Sequence, residues 1–307
     1  MEPILITTGG ASDLIGLVSP NNEQEAIKWI KGKDDIFIPS NLTEFHDSLP
    51  PGQYSITYNT REGYPEYTKI ECNTDELYTL PDSQHEELIE EINLFWQQKD
   101  LYKQANILYR RGILLTGPPG CGKTACIKKA AADIIKNGGV VFNIKTIQQL
   151  NVTFDSLTKE FAQIEKDRSC IIIIEDIDQI IDNLGGDNML LEYLDGQETL
   201  TNTLIIFTSN DPTSLSKALL RPSRIDSIYE FPYPSQQVRE EYFKCKNIEN
   251  YKEFACQTDG LSLADLKEVF IGTQINKKPL LEVVSRIKHG MQLKNYLEPN
   301  KLNLLDE

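Results

Sequence analysis

Four short stretches of this chain carry residues whose types and spacing can do chemistry. The first is Gly117-Pro118-Pro119-Gly120-Cys121-Gly122-Lys123-Thr124, which fits G-x-x-x-x-G-K-[ST]. Its glycines let backbone N–H groups converge on phosphate, and a helix starting at its end would add a favourable dipole. The residues from Gly117 through Ala125 are therefore the candidate phosphate-binding set. Lys123 can reach the β- and γ-phosphates, and Thr124 can ligate Mg²⁺. As a bare pattern the same stretch is a Gly/Pro turn.

About fifty residues on comes Ile171-Ile172-Ile173-Ile174-Glu175-Asp176. A buried strand would deliver two carboxylates at its C-terminal end, where ligands sit in doubly wound sheets. One acid can hold Mg²⁺ and the next can orient or deprotonate an attacking water. Taken alone, the pair reads equally well as a solvated acidic turn. The third stretch, Phe207-Thr208-Ser209-Asn210, puts a short polar side chain where it can bond the γ-phosphate or the water, although Ser-Asn-Asp-Pro is also a good turn. In the fourth, Arg221 and Arg224 stand three apart. They suit charge stabilisation on a transferring phosphoryl group or, as readily, a surface ion pair.

The elements that must position these residues follow from the apolar pattern. Ile113 to Leu115, Val140 to Ile144, Ile171 to Ile174 and Leu204 to Phe207 are short continuous runs suited to strands buried on both faces of a parallel sheet. A helix is expected over 125–135, after the glycine-rich loop. Another is expected over 83–99, with Ser83 and Glu86 as a capping box and Leu88, Ile92, Phe95 and Trp96 as its stripe. From Pro234 the pattern turns helical, with segments over 238–246, 251–257 and 263–271. Upstream, Glu23 to Lys31 reads as a helix, and Tyr54 to Tyr58 with Tyr67 to Cys72 reads as a hairpin. The division expected is a small α+β accessory domain over 1–80, an α/β core over 81–232, a helical lid over 233–290 and an acidic tail over 291–307.

Bulk properties narrow the function. There are 31 Lys and Arg against 46 Asp and Glu, a net charge of −15, which argues against broad phosphate-backbone binding to nucleic acid. Six cysteines show no pairing pattern and three histidines are scattered, so reduced thiols without a zinc site are expected. No apolar run reaches the ~20 residues of a membrane helix. Met1-Glu2-Pro3 lacks a signal-peptide pattern. The chain reads as cytoplasmic, with no membrane insertion.

Taken together, these motifs resemble the AAA+ superfamily and, within it, the classical AAA clade. Gly117 to Thr124 matches Walker A, Ile171 to Asp176 matches Walker B, and Asn210 matches sensor 1. Leu190-Leu191 with Leu194-Asp195-Gly196 is similar to the inter-subunit signalling segment, and Arg221 with Arg224 to the paired arginines. Asp259 to Leu266 is similar to the lid segment near adenine and ribose. The resemblance implies a P-loop NTPase with a doubly wound parallel sheet and a C-terminal lid. It further implies a homo-oligomeric ring, usually a hexamer, binding ATP and Mg²⁺, with each site completed by a neighbour's arginines.

Several positions depart from the pattern. Glu175 takes the metal position and Asp176 the catalytic one, in reversed order and with a shorter catalytic acid. That order, with Arg110-Arg111-Gly112 and Arg224-Ile225-Asp226, is similar to the subgroup of the mitochondrial Rieske-protein translocase, whose membrane helix is missing here. Ser223 and Leu263 stand where glycine is usual. The aromatic pore loop falls near Asn151-Val152-Thr153-Phe154 without its glycine, leaving Phe154 as either a substrate grip or a core residue. The leading expectation is an oligomeric Mg-dependent ATPase that remodels a protein partner. The alternatives are a nucleotide-gated assembly module with slow turnover and a DNA-handling ATPase.

Overall fold

The computed structural model describes residues 28–31, 36–40, 47–61, 63–71, 83–165, 167–195 and 200–297. In chain order the strands are β1 (Lys28–Lys31), β2 (Ile36–Ser40), β3 (Gly52–Asn59), β4 (Tyr64–Ile70), β5 (Arg110–Thr116), β6 (Val140–Ile144), β7 (Cys170–Ile174), β8 (Thr203–Ser209) and β9 (Ser227–Glu230). They form one sheet in the order β1-β2-β4-β3-β6-β7-β8-β5-β9. The pairs from β3–β6 through β5–β9 are parallel, and the first three pairs are antiparallel.

The central strands β6, β7 and β8 are buried along their whole length, as runs poor in polar residues require. Helices α1 (Ser83–Gln97), α2 (Lys99–Gln104) and α3 (Lys123–Lys136) follow. The first and third contribute Leu88, Ile92, Phe95, Ile127, Ala131 and Ile134 to a core on one face, together with Ile113, Ile171 and Leu204 from the sheet. The other face carries α4 (Ile147–Ser156), which runs through a π-helical turn at Leu157–Phe161 into α5 (Ala162–Ile164), and then α6 (Ile177–Leu184) and α7 (Asn188–Asp195). Their Leu150, Phe154, Ile177, Ile181, Leu190 and Leu194 pack against Leu114, Phe142, Ile172 and Phe207. The lid is α8 (Gln236–Cys245), α9 (Tyr251–Gln257), α10 (Leu263–Phe270) and α11 (Leu280–Leu297), with its own core around Phe243, Phe254, Leu266 and Val283.

Three expectations are corrected here. Lys28–Lys31 is a strand rather than the end of a helix, paired antiparallel with β2, and Trp29 is fully buried; Glu23 to Ile27 lies outside the described residues. The hairpin forms as β3 and β4, but residues 28–70 are not set apart as an accessory unit. β3 continues the central sheet beside β6, and Trp29, Tyr54, Ile56 and Tyr67 share one core with Leu114 and Phe142. Lastly, the helical pattern does not stop at Gly290, because α11 continues to Leu297. Ser83 opens α1 as expected, with its side chain outside the described residues. Among the described residues no helix is long and apolar enough to cross a membrane.

Because Trp29 belongs to the central core, Trp29→Ala is expected to cost the whole domain about 3–5 kcal/mol. Trp29 also donates a 3.2 Å hydrogen bond to Glu165. Urea unfolding followed by circular dichroism checks this: one cooperative transition should move to lower denaturant.

Candidate nucleotide site

The loop between β5 and α3 is built from backbone that ordinary residues avoid. Gly117 has φ +134°, and a Cβ there would lie 2.2 Å from the Phe231 carbonyl oxygen, so glycine is required twice over. α3 starts at Lys123 with no side-chain cap bond at Gly122, which leaves its first N–H groups turned toward the loop as anion donors.

Lys123 is largely buried. Its Nζ donates to the Gly117 carbonyl, to the Pro118 carbonyl at 3.2 Å and to Asn210 Oδ1 at 2.8 Å. Asn210 Nδ2 donates onward to Asp176 Oδ1 at 3.0 Å. The Asp176 N–H donates to Thr208 Oγ1 at 2.9 Å. A hydrogen-bonded chain thus joins the lysine of the loop, the amide at the end of β8 and the acid after β7. Burial lowers the pKa of Lys123, and the nearby Cys121, Asp176 and Asp178 partly oppose this. Asp176 sits at φ +49°, a left-handed conformation that aspartate tolerates better than most residues.

These groups surround a cavity of about 270 Å³ lined by Pro119 through Ala125, Glu175, Asp176, Thr208 and Asn210. Gly117 and Pro118 bond Lys123 instead of lining it. Thr124 and Glu175, the expected metal pair, both face this cavity, so an oxygen-ligated cation has two donors there. Glu175 also pairs with Lys145 at 3.2 Å, on the rim of a second cavity of about 490 Å³ between the β6–α4 junction and α6. The lid closes over the loop: the Ala264 N–H donates to the Gly120 carbonyl at 3.1 Å, and α10 opens with a capping box between Ser262 and Asp265.

Arg221 and Arg224 are elsewhere. They lie on the loop before β9, which packs on the opposite end of β5 from the phosphate loop. A Cβ on Gly112 would lie 1.8 Å from the Arg224 carbonyl oxygen. Gly112 and Thr116 are separated by roughly 13 Å of strand at ~3.3 Å per residue. Arg224 Nε donates to Asp195 Oδ1 at 3.0 Å, and its guanidinium also reaches Asp195 Oδ2 and the Ala218 carbonyl. Arg221 is exposed, and its guanidinium has no partner among the described residues. Asp226 fastens this loop to β5 by accepting from the N–H of Gly112 and of Ser223, each at 2.8 Å. Ser223 has φ +76°, which accounts for glycine being usual there.

One further residue was open on sequence alone. Phe154 lies inside α4, buried and stacked on Tyr193 at 5.0 Å, so it is a core residue. Cys121 is buried with its thiol pushed up to about 11, mainly by burial, so it is a poor nucleophile. Two site residues escaped sequence reasoning. Thr208 shares the cavity with Asn210, two residues on along the same strand end, a spacing that could have revealed it. Lys145 follows β6 directly and had no signal beyond its position.

Residues 113–233 match the ATPase family associated with various cellular activities (AAA). The chain is 30% identical over 227 residues to a cell division cycle protein 48 homolog of Archaeoglobus fulgidus, covering 67% of this chain and 30% of that protein. It is 27% identical over 280 residues to an AAA ATPase forming ring-shaped complexes of Corynebacterium diphtheriae, covering 77% and 53%. It is 32% identical over 207 residues to the proteasome-activating nucleotidase of Thermococcus onnurineus, covering 61% and 52%. The chain therefore spans about a third to about half the length of these relatives. Glycine loop, paired acids and strand-end asparagine all fall within the matched region and converge on one cavity: the chain carries an ATPase domain of the AAA+ superfamily.

Proposed function

We propose that this protein is a Mg-dependent ATPase that works as a homo-oligomeric ring, hexameric by resemblance, and remodels a protein partner. One observation carries the shared-site part of this reading. The cavity holds the loop, the acids and Asn210, while Arg221 and Arg224 stand at the far end of β5, where they can serve a neighbouring subunit and not their own. In this reading Gly117 to Ala125 cradle the triphosphate, and Thr124 and Glu175 hold Mg²⁺, which would supply charge neutralisation at the phosphates. Asp176 orients the attacking water, and Asn210 positions both that water and Lys123. Arg221 and Arg224 reach the γ-phosphate in trans. The ring and the protein partner draw support from the printed names of the relatives. The Glu-Asp order at 175–176 supports kinship with the Rieske-translocase subgroup.

The reading is tested by turnover per subunit across protein concentration, beside particle mass with Mg-ATP. Turnover should rise with assembly; a constant rate from a monomer would sink it. Gly112→Ala tests the same point from the structure. The added Cβ collides with the Arg224 backbone, so turnover should fall by roughly 10²-fold with nucleotide affinity unchanged, as measured by steady-state kinetics and binding of a fluorescent ATP analogue. A nucleotide-gated assembly module with slow turnover is the second reading. It is favoured by the short catalytic acid and by the burial of Phe154, which removes that aromatic as a substrate grip. Strong stimulation of hydrolysis by a protein partner would exclude it.

A further inference from the structure

The side chain of Arg110, the first residue of β5, takes no direct carboxylate partner among the described residues. Its Nη2 donates instead to two main-chain carbonyls, Leu194 at 2.8 Å and Ser223 at 3.0 Å. The first belongs to the last turn of α7, where carbonyls lack intrahelical partners and a cation is favoured. The second belongs to the loop that carries Arg221 and Arg224, one residue before Arg224. Arg110 therefore ties three pieces together: the strand that runs into the phosphate loop, the end of α7, and the arginine loop.

The guanidinium is well placed for this task. It remains charged even when partly desolvated, and its Nη2 carries two N–H donors, one for each carbonyl. Burial works against its charge, while the carboxylates of Asp226 and Asp195 nearby favour it. Those two acids are in turn committed to the same assembly. Asp226 holds Gly112 and Ser223, and Asp195 holds Arg224. Nothing in this cluster lines the nucleotide cavity.

We propose that Arg110 is a positioning residue for the arginine loop. It sets where Arg221 and Arg224 are presented to the next subunit, and it keeps that loop in register with the β5 strand of its own site. This rests on the shared-site reading above. Arg110 does not line the nucleotide cavity. Its loss should therefore lower the turnover of the neighbouring site and leave its own site intact.

The test uses the full chain with Arg110→Met, which keeps an unbranched apolar stem, beside Arg224→Ala. Each is assayed alone and mixed with an excess of Lys123→Ala, whose arginine loop is intact. Arg110→Met alone should turn over about tenfold more slowly, with the melting temperature and the affinity for a fluorescent ATP analogue unchanged. In the mixture its sites, now served by the loops of Lys123→Ala subunits, should regain turnover as those of Arg224→Ala do. If Arg110→Met hydrolyses ATP within twofold of wild type, or if it is impaired and stays so in the mixture while Arg224→Ala is restored, the positioning role is overturned and the shared site stands. If neither variant is restored, both the shared site and the positioning role fall.

Discussion

Lys123→Ala is expected to abolish turnover and to weaken ATP binding by at least roughly 100-fold, because it removes the one cation that the phosphate loop itself supplies to the β- and γ-phosphates. The structure adds a less obvious expectation. Without nucleotide, Lys123 is a largely buried charge held by two main-chain carbonyls and the Asn210 amide oxygen, with burial pulling its pKa down. A lysine whose folded pKa is lowered is, while charged, an electrostatic cost to the fold, which offsets part of what is lost with its three hydrogen bonds. Thermal unfolding without nucleotide should give a midpoint close to wild type, while the stabilisation that saturating ATP gives the wild type should vanish.

Arg224→Ala is expected to lower turnover by roughly 10³–10⁵-fold, the range for an arginine completing a phosphoryl-transfer site, and to leave ATP affinity within a few-fold of wild type. Affinity should hold because Arg224 is absent from the cavity of its own chain. Stability should hold as well. The Arg224–Asp195 pair is partly open to solvent, with the Arg224 hydrogen bond keeping the Asp195 carboxyl below its usual pKa, and such pairs contribute about 0–1 kcal/mol. The binding measurement separates the two variants: Lys123→Ala loses nucleotide, whereas Arg224→Ala keeps it and fails to use it.

The chemistry was legible in the sequence wherever local rules decide the outcome. The four apolar runs became β5 to β8 because strands buried on both faces leave no room for polar alternation. The glycines of the loop were legible because only a backbone of that kind can wrap an anion. What stayed hidden depends on contacts distant in sequence. Lys28 to Lys31 is a strand because Trp29 finds the aromatic cluster of Tyr67 and Phe142, which helical spacing around Ala26 and Ile27 could not announce. β9 reads weakly because Ser227 to Glu230 is short and half exposed at the edge of the sheet. α11 runs through Gly290 because a glycine costs a helix only about 1 kcal/mol, and the burial of Val283 and Val284 anchors its first turns. The two arginines were recognised as a pair, but their attachment to β5 through Gly112, Asp226 and Arg110 appears only in three dimensions.

The most direct test of the shared site is to mix Lys123→Ala with Arg224→Ala in equal amounts and follow ATP hydrolysis beside particle mass. Each variant alone should be inactive. In the mixture, Arg224→Ala subunits keep an intact phosphate loop and can borrow an arginine from a Lys123→Ala neighbour, so turnover should reappear in a multi-subunit particle. A mixture as inactive as its components, or a monomeric wild type that hydrolyses ATP at its full rate, would contradict the account.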